Sequence, residues 1–73
     1  MNSTKKRGIN IDVKIIDFIK KQIHPISTRE IAITLNLSWH TAINHCLRLQ
    51  LSKKIEGYKI GNINVWSLNH EKN

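Results

Sequence analysis

The sequence predicts a mainly α fold with a small β-hairpin: three helices followed by two C-terminal strands. Apolar residues recur at helical spacing in three segments between Ile11 and Ser52, each opened by a residue type that caps helices. The period then changes. KIEGYKIGNINVWSLN, from Lys54 to Asn69, alternates, carries β-branched and aromatic residues, and has Gly61-Asn62 at its centre, which is a hairpin signal.

Residues 1–10 are polar, with Lys5, Lys6 and Arg7 in a run before Gly8, and predict a flexible basic arm ahead of a folded domain over 11–68 and a tail over 69–73. The first helix is expected to start at Asp12 as N-cap, with Ile11 and Ile16 stapled across it. Val13, Ile15, Ile16, Ile19 and Ile23 form its apolar stripe. Lys20 and Lys21 suit the negative end of the helix dipole. Pro25 disfavours helical geometry at His24, so this helix ends by about Gln22 and His24-Pro25-Ile26 is extended. In the second helix, Ser27 and Glu30 have capping-box spacing, Ile31, Ala32 and Leu35 face inward, and Asn36 tolerates the left-handed turn that ends it. Ser38 then caps a third helix from Trp39 to about Ser52. The hairpin admits two shapes: a two-residue turn pairing Ile60 with Ile63, or a four-residue loop Gly61 to Asn64 pairing Ile60 with Val65. Trp66 is expected to pack at the hairpin base with Leu68 and Ile55, Gly57 leaving room for it across the hairpin.

The composition narrows the function classes. A chain of 73 residues is one small domain near the lower limit for a single core without disulfides or metal. One cysteine, Cys46, cannot form an internal disulfide, which points to a reducing, cytoplasmic compartment. No segment has the length of a membrane span, and the N-terminus lacks the apolar stretch of a signal peptide. Twelve Lys/Arg against five Asp/Glu give a net charge of +7 and a pI near 10.0, the balance of a protein that meets a polyanion. Nucleic acid comes ahead of an acidic membrane, because no strongly basic amphipathic helix is present.

Helix, extended piece, helix, tight turn, helix, hairpin: this order resembles the winged helix-turn-helix family of DNA-binding domains over roughly Ile11 to Leu68. The best-matching stretch is TREIAITLNLSWHTAINHCL, Thr28 to Leu47, with Ile31, Ala32, Leu35, Asn36, Leu37 and Ala42 at the family's core and turn positions. The resemblance implies that Ala42, Cys46 and Leu49 face inward with His45 at the edge. It also implies that the third helix enters the major groove and reads bases through Ser38, Trp39, His40, Ile43, Asn44, Leu47 and Arg48. Lys5, Lys6, Arg7, Arg29, Lys53, Lys54, Lys59 and Asn62 would hold phosphates from the arm, the helices and the wing. The partner so implied is double-stranded DNA and the role a small transcription regulator. One short reading helix specifies few bases, which favours a homodimer.

The outward surface of the third helix is unusually apolar, and two other readings compete for it. Trp39, Ile43, Leu47 and Leu51, spaced four apart, could form an interface for a second subunit or for a larger nucleic-acid complex. Alternatively the stripe is core, covered by an apolar hairpin face of Tyr58, Ile60, Ile63 and Val65. Other chemistry has little support. His24, His40, His45, His70 and Cys46 fall in no metal-ligand spacing, no catalytic carboxylate pair stands out, and no glycine-rich phosphate loop occurs. The sequence therefore argues against an enzyme, a metal site, a cofactor or a small-molecule ligand.

Overall fold

In the computed structural model residues 3–69 are described, with side chains from residue 10 onward. Three helices, α1 (Ser3–Lys20), α2 (Thr28–Leu35) and α3 (Trp39–Leu51), pack with a three-stranded antiparallel sheet of β1 (Ile26–Ser27), β2 (Ile55–Ile60) and β3 (Ile63–Leu68). The strand order is β1-β3-β2, so the last strand of the chain lies at the centre.

Helix α1 starts nine residues before the expected cap. Asp12 lies inside it, where its carboxylate accepts a hydrogen bond from His45 of α3 at 2.7 Å instead of capping its own helix. A partner 33 residues away thus replaces the local one. Once a helix is nucleated each added residue costs little, and the polar segment expected as a free arm is helical from Ser3. The side chains of Lys5, Lys6 and Arg7 lie outside the described residues, as does the tail from residue 70. The stripe of α1 is also narrower than expected. Ile15 and Ile19 are buried, Ile11 and Ile16 partly so, whereas Val13 is exposed on the far side and Ile23 is exposed beyond the helix end.

Helix α2 has the expected limits. Ser27 Oγ accepts from the Glu30 N–H at 3.0 Å, and Asn36, at φ 57°, takes the left-handed conformation. The N–H groups of Asn36 and Leu37 return to the carbonyls of Ile33 and Ala32, which closes a Schellman turn. Helix α3 ends the same way: Lys53, at φ 62°, and Lys54 donate to Gln50 and Leu49.

The extended segment after Pro25 is a third strand, with Ile26 opposite Trp66 and Ser27 opposite Val65. Two residues carry no periodicity, and their pairing depends on β3, some forty positions away. The hairpin takes the two-residue turn, with Ile60 opposite Ile63 and Gly57 opposite Trp66. Gly61 has φ 62° and Asn62 does not enter positive φ, the pattern of a type II′ turn.

The core gathers Ile15 and Ile19 of α1, Ile26 of β1, Ile31 and Ala32 of α2, Ala42, Ile43, Cys46 and Leu49 of α3, and Ile55 and Trp66 of the hairpin. Each Ile and Leu side chain among them contributes about 1.5–3 kcal/mol on burial. The Trp66 indole N–H donates to Thr28 Oγ1 at 2.8 Å, so the largest core side chain leaves no buried polar atom unpaired. No helix among the described residues is long and apolar enough to cross a membrane.

Candidate nucleic-acid interface

Helix α3 is positioned from its first residue. Ser38 Oγ accepts from the Thr41 N–H at 3.1 Å and donates to Thr41 Oγ1 at 2.9 Å. With the start so held, a rotation of about 100° per residue decides which way each side chain points. Ala42, Ile43, Cys46 and Leu49 are buried. His40, Asn44, Leu47, Arg48 and Leu51 form the outward face, all exposed.

Ile43 corrects the expected arc. It is 8% exposed and joins the cluster that holds Cys46 and Trp66, so it can neither touch a base nor extend an apolar stripe. Without it the four-residue spacing from Trp39 to Leu51 is broken. Trp39 stays half-exposed at the edge nearer the hairpin, with its ring edge-to-face to His40 at 5.5 Å. At the opposite edge His45 faces α1 and its Nδ1 meets Asp12.

The hairpin does not cover α3 with its apolar side. Pleating places Ile55, Gly57 and Lys59 on one face with Leu68, Trp66 and Asn64, and Ile55 and Trp66 turn that face toward α3 and the core. Tyr58, Ile60 and Ile63 occupy the other face and remain exposed; Val65, also on that side, is buried. Beside α3, one cleft of about 530 Å³ holds Arg48 and Lys54 with Asp12, one of about 350 Å³ holds Gln50 and Lys53 with Glu56, and two more lie toward the hairpin. The first of these two, of about 160 Å³, brings Leu47 and Gln50 to Lys59 and Asn64. The other, of about 290 Å³, lies between the starts of α2 and α3 and the hairpin turn, where Arg29 and Trp39 meet Asn62 and Asn64.

The electrostatics of these last two clefts are one-signed. No carboxylate lines either cleft. Asp12 is engaged by His45, Asp17 faces Lys21 at 3.8 Å, and Glu56 accepts from the Tyr58 hydroxyl. Arg29, Arg48, Lys53, Lys54 and Lys59 are exposed and have no ion pair among the described residues. Such a surface attracts an anion and offers it several unpaired donors.

Comparison with protein-family models, curated proteins and solved structures gives no match to this chain.

Of the residues singled out in the sequence, Ser38, Trp39, His40, Asn44, Leu47 and Arg48 share the accessible side or the capped start of α3. Arg29, Lys59 and Asn62 flank it, and Lys53 and Lys54 stand at its C-terminal end. Gln50 and Asn64 belong to the same surface and were missed. Asn64 was legible only through the register, since it joins Lys59 across the sheet in the two-residue turn. Cys46 takes no part: burial, reinforced by the nearby Asp12 carboxylate, pushes its thiol up to about 12. Among the described residues no group of three His, Cys, Asp or Glu side chains could hold a metal ion.

Proposed function

We propose that the chain is a winged helix-turn-helix domain that binds double-stranded DNA and acts as a small transcription regulator. Helix α3 docks in the major groove and the β2–β3 hairpin is the wing. The observation that carries this reading is the outward face of α3, where His40, Asn44 and Arg48 stand exposed, with Arg29 and Lys59 in acid-free clefts toward the hairpin and Lys53 and Lys54 at the helix end. Asn44 pairs with an adenine edge and Arg48 with a guanine edge or a phosphate, while Leu47 and Leu51 meet thymine methyls. A good bidentate contact discriminates by about 1–3 kcal/mol, so two of them yield modest specificity. Affinity then rests on Arg29, Lys53, Lys54 and Lys59 with Lys5, Lys6 and Arg7, and regulation follows from occupancy of the site.

The test is an amide chemical-shift titration of labelled protein with a short mixed-sequence duplex. Shifts concentrated at Trp39 to Arg48 and at the hairpin turn, with affinity falling by about 500-fold between 50 and 200 mM salt for ~5 phosphate contacts, are the expected result. Absence of binding, or shifts that spare α3, would sink the proposal.

A further inference from the structure

Resting on this DNA-binding reading, we propose that the cleft between the α2 start, Trp39 and the hairpin turn takes one unpaired nucleobase with its phosphate, which directs the protein to DNA carrying a single-stranded end beside the duplex. The lining is what one nucleotide requires. Trp39, 49% exposed, offers an indole to a base, and Ile63, 56% exposed, adds a second apolar surface. The carboxamides of Asn62 and Asn64 have no partner among the described residues, and each carries both a donor and an acceptor for a base edge. Arg29, exposed and free of any ion pair among the described residues, supplies charge for the phosphate. The Thr28 hydroxyl accepts from Trp66, which leaves its own proton free to donate.

Geometry excludes a base paired within a duplex as occupant. Within a duplex both faces of a base are covered by its neighbours, so away from the terminal pair an indole can stack only on a base that has left the helix. At about 290 Å³ the cleft lies at the small end of ligand pockets, the size for a base and sugar rather than a larger molecule. The cleft shares Trp39 with the start of α3, so on the groove-reading proposal a nucleotide in it lies beside the duplex held on that helix. The indole, the unpaired amides, the cation and the absence of acids therefore select the same ligand.

The experiment compares anisotropy titrations of the full chain with a short blunt duplex and with the same duplex carrying a single-stranded overhang of a few nucleotides. The wild type should prefer the overhang by about tenfold, or 1.4 kcal/mol, with quenching of Trp39 emission confined to the overhang DNA. Trp39→Ala should reduce the ratio of the two affinities to unity, and Trp39→Phe, which keeps a π-face, should retain most of it. Equal affinities in the wild type overturn this inference and leave the groove-reading proposal standing. A preference that survives Trp39→Ala also overturns it. Binding to neither DNA overturns both.

Discussion

Gly57→Ala tests the contact on which the hairpin is seated. A Cβ built on Gly57 falls 2.5 Å from Trp66 Cζ3 and 2.9 Å from Cε3, well inside any tolerated separation, and the obstacle is the rigid side of a buried indole. The ring cannot yield freely, because its Nε1–H is held by Thr28 Oγ1 at 2.8 Å. Two costs arise. Forcing a methyl into a packed core costs about 1–3 kcal/mol, and a displaced indole that loses its buried hydrogen bond costs about 1–3 kcal/mol. Since relief of one produces the other, they are alternatives and the loss is about 1–3 kcal/mol, which for a domain of this size lowers Tm by on the order of 5–25 °C. Thermal unfolding followed by circular dichroism measures it. The companion Trp66→Leu removes the ring, so the double variant should lose much less than the sum of the single losses, a coupling of about 1 kcal/mol or more. A Tm change below about 4 °C for Gly57→Ala, or additive losses in the double variant, would refute the packing argument.

Thr28→Val keeps the shape at a buried position but removes the acceptor for the Trp66 indole, and should cost about 1–3 kcal/mol in denaturant unfolding, whereas Thr28→Ser should recover most of the loss. Lys53→Gly relieves a left-handed backbone at φ 62° and should raise stability by about 1 kcal/mol; if Lys53 holds a phosphate, the same variant should also reduce the slope of log affinity against log salt by about 0.9. Cys46, pushed up to about 12 from an ordinary 9.0, keeps its proton in the folded state while the unfolded chain gives it up. The native state thus binds more protons between those values, so this thiol's contribution is fully present below pH 9 and is lost as pH rises toward 12. Cys46→Ala should flatten that alkaline loss of stability, and a slope unchanged by the substitution would show that other groups cause it.

Local chemistry was legible wherever its partner lay within a few residues. Ser27 with Glu30, Ser38 with Thr41 and the left-handed Asn36 are short-range devices, and α2 and the start of α3 stand where those residues put them. The same logic failed at Asp12. An Asp ahead of an apolar stripe is a sound cap in isolation, yet here it is drawn into the helix and bonded to His45 of α3. No local rule weighs a partner 33 residues distant. Strand β1 failed for a related reason, since two residues become a strand only when β3 lies beside them.

What the sequence determined by itself was the order of three helices and a hairpin, the inward positions Ala42, Cys46 and Leu49, and the excess of positive charge. Tertiary structure decided the rest of the candidate site. The two possible turns were equivalent in local propensity, but only the two-residue turn sets Gly57 opposite Trp66, and that places the indole within reach of Thr28. A four-residue loop would set Lys59 there instead. The seated hairpin in turn buries Ile43, leaves Tyr58, Ile60 and Ile63 exposed, and brings Asn62 and Asn64 to Trp39 and Arg29. Periodicity reports the direction of a side chain relative to its own element. Burial depends on which other element arrives on that side, and packing around Trp66 made that choice.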